Sequence, residues 1–171
     1  MNKQTLILTV GLSNSGKSTW AKTISEKFNI PIVEPDAIRR AIHGQEFLPS
    51  AEYIVWSNAR TMVRSLFETG YSAVLLDSTM MMSYRRKEWS SRDWDTVYVH
   101  VSTPAEVCVE RATKDGRYHL IPVINRMAKQ FELPNDQEST RWFDFNDLLI
   151  SKNMEKIVVS GMSYSDHKVV N

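Results

Sequence analysis

Cysteine is nearly absent. The 171-residue chain carries one, Cys108, which excludes an intramolecular disulfide and any CxxC or Cys/His zinc framework. No apolar run approaches the roughly 20 residues of a membrane span. The short stretch Leu6-Ile7-Leu8, broken by Thr9, is also too brief for the apolar core of a secretory signal. With only six glycines and six prolines, collagen-like and low-complexity architectures are out. Charge of one sign is missing too: 21 Lys plus Arg against 20 Asp plus Glu leaves +1. That balance argues against coating nucleic acid by bulk charge and leaves room for a local basic groove. These absences predict one cytoplasmic domain over residues 1–171, with no membrane and no obligate protein partner. What is present, 42% hydrophobic and 24% charged residues, is enough for a single core burying about 70% of the unfolded surface.

Short apolar runs alternate with helical periodicity. Residues 6–10 read as a buried strand and 15–28 as a helix with Trp20, Ala21, Ile24 and Phe28 on one face. A second strand is predicted at 31–33, a helix from Asp36 through Ile42, and a longer helix over 52–69 stopped by Gly70. Residues 72–76 are continuous and apolar, as in a strand buried on both faces. A helix near 84–90, a strand at 96–101, helices at 104–113 and 122–131, a polar stretch at 133–140 and a last strand at 156–160 complete the reading. The tail, 162–171, is expected to fray. The βαβα rhythm predicts an α/β fold: an open, parallel, five-stranded sheet with helices on both faces and a small basic lid.

The strongest chemical signal is Gly11-Leu12-Ser13-Asn14-Ser15-Gly16-Lys17-Ser18-Thr19. It matches G-x-x-x-x-G-K-[ST] in full, after a strand and at the start of a helix. Its glycines let backbone amides turn inward around a triphosphate, and the helix N-terminus adds unpaired N–H groups and partial positive charge. Lys17 can reach the β- and γ-phosphates of ATP, and the Ser18 hydroxyl can ligate Mg²⁺. The motif serves several reactions. A GTPase base-reading motif is missing, since Thr113-Lys114-Asp115-Gly116 places its carboxylate one residue early and follows a helix. There is no room for a motor or ring-ATPase lid domain, and a small phosphoryl transferase is favoured by elimination.

Glu34-Pro35-Asp36-Ala37-Ile38-Arg39 falls at the carboxyl end of the second strand, where open α/β sheets bind ligands. A carboxylate there can take the proton of a hydroxyl attacking a γ-phosphate. Asp36 and Arg39, at i and i+3, share one helix face. Asp36 as a plain helix cap, and Glu34 as the base, are the competing readings. Asp77 ends the third apolar strand, in the Walker-B position that holds Mg²⁺. Arg111, Lys114, Arg117 and Arg126 flank the Asp115-Gly116 turn, and a mobile basic lid over about 112–121 would offset phosphoryl charge and exclude water.

These residues resemble the small P-loop kinases similar to the kinase domain of phage-type polynucleotide 5′-kinase. The likeness runs over residues 4–131, through Leu6–Val10 with the phosphate loop, Asp36-x-x-Arg39, Asp77-Ser78-Thr79, Arg85-Arg86-x-x-Trp89 and Val109-Glu110-Arg111 with Lys114. It implies that Asp36 is the general base, that Arg39 contacts the acceptor's phosphate, that Lys17, Ser18 and Thr19 hold the nucleotide, and that Arg111 belongs to the lid. Thr79 and Arg85 are candidates for the acceptor side. Pro35 stands where those kinases carry a basic residue, and Asp115 where a second arginine is expected, with Arg117 the replacement. Gln130-Phe131-Glu132-Leu133-Pro134 with Glu138 looks like the ending of a broader set of P-loop kinases.

The expected activity is transfer of the γ-phosphoryl group of ATP to a hydroxyl, foremost the 5′-OH of a nucleic acid. The alternatives are a hydroxyl on a modified base in DNA, a nucleoside or other small molecule, and a nucleotide-dependent binding module. Trp20 and Trp89 are expected in the core rather than as base-stacking platforms, Met80-Met81-Met82 as a pocket wall or packing, and Cys108 as a small apolar residue of a helix face.

Overall fold

In the computed structural model the described residues are 3–135 and 141–144. Five strands, β1 (Gln4–Val10), β2 (Ile32–Val33), β3 (Ala73–Leu76), β4 (Trp94–His100) and β5 (Arg141–Asp144), form one sheet in the order β2-β3-β1-β4-β5. Every pairing is parallel. The central strand is Leu-Ile-Leu-Thr-Val from Leu6 to Val10, all of it buried, as a strand covered on both faces requires. Its register against β4, Thr9 to Val99 and Val10 to His100, brings the start of the phosphate loop level with the end of β4.

Alternation along β1 divides the core in two. Leu6, Leu8 and Val10 pack with Val74, Leu76, Tyr98, Trp89, Trp94 and the apolar face of α3 (Glu52–Glu68): Ala59, Val63 and Phe67. Ile7 faces the other way, with Leu75, Val97, Val99 and the Trp20, Ala21 and Ile24 face of α1 (Lys17–Phe28). The core reading of Trp20 and Trp89 therefore holds, and Met80 is core as well. Cys108 is a buried apolar contact between α5 (Ala105–Lys114) and α6 (Leu120–Gln130), beside Ala112 and Ile124. Among the described residues no helix is long and apolar enough to cross a membrane.

The elements follow their expected places with local shifts. The helix α2 spans Pro35–His43, with Pro35 in the first turn where its missing N–H costs nothing. Gly70 stops α3 at φ 103°, its amide bonding the Phe67 carbonyl. The helix expected near 84–90 is shorter, α4 (Ser83–Lys87). Its end tightens to i→i−3 bonds at Trp89 and Ser90, and the Trp89 carbonyl accepts the Trp94 indole N–H and the Thr96 hydroxyl instead of continuing the ladder. Pro122 lies inside α6 rather than opening it, tolerated because first-turn amides have no intrahelical partner. Strand β5 at Arg141–Asp144 lies just past the stretch expected to be only polar. The strand expected at 156–160, the 162–171 tail and Glu138 lie outside the described residues.

Trp89 is 2% exposed, packs edge-on to Trp56 and anchors the turn between α4 and β4. Trp89→Ala is expected to cost about 3–5 kcal/mol, read as a fall in the urea midpoint with unchanged slope.

Candidate functional site

The phosphate loop closes around Lys17. Gly11 has φ 152°, and a Cβ there would meet the Val101 carbonyl oxygen at 2.8 Å. Glycine is therefore required by both backbone angle and space. Asn14 and Gly16 continue the turn at φ 63° and 101°, and Gly16 is the N-cap of α1. The Lys17 ammonium donates to the Leu12 carbonyl at 2.6 Å and lies 3.4 Å from the Ser15 hydroxyl. Lys17 is only 7% exposed. Burial pulls its pKa from 10.5 down to about 8, while Asp77, and behind it Cys108 and then Asp36, hold it up. Asp77 follows β3 and Asp36 lies in the first turn of α2 (Pro35–His43), both at the carboxyl end of the sheet where the loop begins. Ser18 and Thr19, expected on the nucleotide, are exposed in the first turn of α1.

Asp77 is held by a residue that the sequence reading passed over. The Thr9 hydroxyl lies 2.9 Å from Asp77 Oδ1 and from the Ser78 carbonyl, and it accepts the Ser78 amide at 2.9 Å. A buried threonine in an otherwise aliphatic strand was the available signal. The next turn is tied to the phosphate loop by the Gly11 amide donating to the Thr79 carbonyl at 3.0 Å.

Asp36 is in the first turn of α2 and makes no capping bond; the N-cap position belongs to Glu34. Its carboxylate pairs with Arg39 Nη1, as the i, i+3 spacing predicts, and its side chain is 71% exposed. Arg39 is buried. Its Nε and Nη2 donate to the two Glu52 carboxylate oxygens, each at 2.7 Å, and the guanidinium lies over the Trp56 ring at 5.6 Å. The Trp56 indole N–H also donates to Glu52, at 2.9 Å. These bonds engage three of the five N–H groups of the guanidinium, so Arg39, expected on an acceptor phosphate, is anchored bidentately on Glu52 and presents one N–H to Asp36. The Arg39 hydrogen bonds hold Glu52 below the usual carboxylate range, and the charge of Arg85 contributes. Arg85 is half-exposed and pairs with Glu88 at 3.4 Å. Glu52 and Trp56 were legible only as an i, i+4 pair on the next helix.

A family model described as an AAA domain matches residues 6–134. The chain belongs to this AAA domain family. No curated protein matches it. Among solved structures it is similar to a chain of the Pnkp1/Rnl/Hen1 RNA repair complex, at 22% identity and TM-score 0.60 in one structure and 19% and 0.56 in another. It spans 40% and 47% of those chains, with 65% and 77% of its own length covered. A gluconokinase from Sinorhizobium meliloti matches at 18% identity and TM-score 0.55, covering 94% of this chain and 91% of that one. The APS kinase of Mycobacterium tuberculosis, in complex with AMPPNP and APS, matches at 17% and 0.63, covering 95% and 99%. What is shared is the P-loop kinase fold.

The residues expected to form a lid fall in the hairpin of α5 and α6. The expected lid, 112–121, resolves into the end of α5, a short turn with Gly116 at φ 68°, and the start of α6. Arg111 donates from Nη1 to the Asn14 and Ser15 carbonyls at 3.1 and 3.0 Å, and the Thr103 hydroxyl shares the Ser15 carbonyl at 2.7 Å. The other lid cations are turned to exposed neighbours: Lys114 to Glu110 at 2.7 Å, Arg117 to Asp115 at 2.6 Å. Ser13 meets the lid through Met127, at 3.5 Å from its sulfur. Two buried atoms lack a hydrogen-bond partner beside this machinery, Asn14 Nδ2 in the loop and Ser78 Oγ next to Asp77. Unmet buried polar atoms at such a position fit a site that awaits a polar ligand.

The Lys17 shift sets a pH dependence. The folded pKa lies below the unfolded value, so from about pH 8 to 10 the unfolded chain binds more protons and stability without ligand rises with pH. Affinity for a non-hydrolysable ATP analogue should fall over the same window, because the ammonium that attracts phosphate is lost. Titration calorimetry and denaturation from pH 7 upward read the two opposed trends, and Lys17→Met should abolish both.

Proposed function

We propose that this chain is an ATP- and Mg²⁺-dependent kinase that moves the γ-phosphoryl group onto a hydroxyl, with the 5′-OH end of DNA or RNA as acceptor. The observation that carries the reading is that the phosphate loop closed on the buried Lys17, the Asp77 held by Thr9 after β3, and the Asp36 paired with the buried Arg39 at the head of α2 all lie at the carboxyl end of one parallel sheet. A module that only bound nucleotide would need the first carboxylate and not the second. The acceptor class is supported by the likeness to the Pnkp1/Rnl/Hen1 chain and by the openness of Asp36, which suits a chain end approaching from solvent.

In this mechanism Lys17 and the loop amides cradle the β- and γ-phosphates, and Arg111 with Arg117 offsets charge on the transferring group. Asp36, aimed by Arg39, accepts the proton of the acceptor hydroxyl as its oxygen bonds to the γ-phosphorus. The bond from that phosphorus to the β,γ-bridging oxygen breaks, and ADP leaves. Ser18 and Asp77 are the residues that would hold Mg²⁺. The donor set fits: one hydroxyl and one carboxylate leave the remaining positions to phosphate oxygens and water, as Mg²⁺ prefers. The ion would supply neutralisation of developing charge on the phosphate oxygens. In this reading Arg85, Thr79 and Arg39 would meet the acceptor's phosphate, and Lys114 from the end of α5 would join the phosphate-loop residues on the nucleotide.

The small-molecule reading stays in view because the gluconokinase and the APS kinase match nearly end to end. One experiment separates them: γ-labelled ATP with 5′-OH oligonucleotides, 5′-phosphorylated ones, modified-base DNA and free nucleosides. Label confined to 5′-OH ends is expected; label on phosphorylated modified DNA or only on small molecules would overturn the acceptor. With the acceptor that takes label, Asp36→Asn should lower turnover by roughly 10²- to 10⁴-fold and leave ATP affinity unchanged. An equal loss of ATP binding would remove Asp36 from the chemistry.

A further inference from the structure

The segment after α6 crosses from the lid to the acceptor side of the cleft. Gln130 ends the helix, and the next residue, Phe131, packs on the core with its ring 5.3 Å from that of His100. Glu132 then grips the turn between β3 and α4 twice. Its amide donates to the Met81 carbonyl at 3.0 Å, and its Oε2 accepts the Ser83 amide at 2.7 Å. This is the turn that carries Thr79 and leads into Arg85.

The near end of the same turn is fastened to the phosphate loop. The Thr79 carbonyl takes the Gly11 amide, the Ser78 amide bonds Thr9, and the buried Arg86 donates to the Met80 carbonyl at 2.8 Å. Met80 is held there at φ 40°, a left-handed angle that a non-glycine residue keeps only when its surroundings dictate it. Between Met80 and Arg85, the grip from outside the turn comes from Glu132. Glu132 in turn follows α6, which touches the loop through Met127 and Ser13 and packs on the helix that delivers Arg111.

We propose that Glu132 is a positioning residue that straps α6 to the acceptor-side turn, so that nucleotide under α5 and α6 orders residues 81–86, Arg85 among them. The proposal rests on the kinase reading for its consequence, and its physical content is the coupling of α6 to the turn. A carboxylate bonded to a backbone amide is a charge-assisted contact, and a glutamine can replace it because its carbonyl also accepts.

The test is amide hydrogen exchange of the full chain, with and without AMPPNP and Mg²⁺, for wild type, Glu132→Ala and Glu132→Gln. In wild type the analogue should slow exchange across residues 81–86. In Glu132→Ala, at saturating analogue, that added protection should be lost, and Glu132→Gln should restore it. In transfer to a 5′-OH oligonucleotide, Glu132→Ala should raise the acceptor KM about tenfold, as loss of a charge-assisted contact allows, with the KM for ATP unchanged. Equal protection of 81–86 in wild type and Glu132→Ala overturns the strap. The exchange comparison contains no acceptor, so a wrong acceptor assignment shows only in the transfer assay and the two failures are told apart.

Discussion

Burial of one ammonium group organises the carboxyl end of this sheet. An isolated charge in a closed loop is costly, and Lys17 is held there by the Leu12 carbonyl, with Asp77 the foremost charge that favours the ammonium. That arrangement depends on the strand order, because β1 flanked by β3 brings Asp77 alongside, and β2 beyond β3 delivers Asp36. It also depends on the β1–β4 register. The end of β4 presses the Val101 carbonyl against Gly11 so closely that the loop must begin without a side chain. The nucleotide motif is thus a consequence of sheet geometry as much as of its own nine residues.

Around this centre the polar groups form two populations. The buried and half-buried ones are locked to partners: Thr9 on Asp77, Glu52 on Arg39, Thr103 on the Ser15 carbonyl. Removing one member of a buried ion pair costs about 3–5 kcal/mol, since the other charge is left uncompensated. The exposed pairs, Lys114 with Glu110 and Arg117 with Asp115, contribute only about 0–1 kcal/mol each. A phosphate entering under the lid can therefore draw these cations off their present partners at little cost, whereas it cannot move Glu52 from Arg39. Asp115, at the position where a second arginine was expected, is what currently occupies Arg117.

Element order was legible because the period switches cleanly, from Leu6-Ile7-Leu8 to the helical face of Trp20, Ala21 and Ile24, and because glycines mark the stops. The phosphate loop, Asp77 and the Asp36–Arg39 pair were legible for a stronger reason: each is a short motif whose spacing is its geometry. Glu52 escaped because its bond to Arg39 crosses between helices, and no local pattern encodes that. Thr9 escaped because a lone hydroxyl in a strand reads first as a break in hydrophobicity. The early end of α4 was equally hidden, since it turns on the Trp89 carbonyl meeting side chains from β4. Local chemistry reads directly from the chain; the partners that aim it come from the fold.

The two carboxylates of the site differ in a way that bears on how phosphoryl transfer would be divided between them. Asp77 lies below the surface with Thr9 fixing one oxygen, and a group so held suits a fixed task, organising charge on phosphate oxygens that arrive in one place. Asp36 stands in solvent, steered only through a buried arginine. Were Asp36 the base, one so exposed would be useless while water is the nearest hydroxyl, and productive chemistry would require the acceptor to displace water at Asp36 itself. Selectivity in such an enzyme would rest less on a closed pocket than on what completes the open side: Arg85, the turn held by Glu132, and the acceptor's own bulk. That is a division suited to a substrate too large to be enclosed.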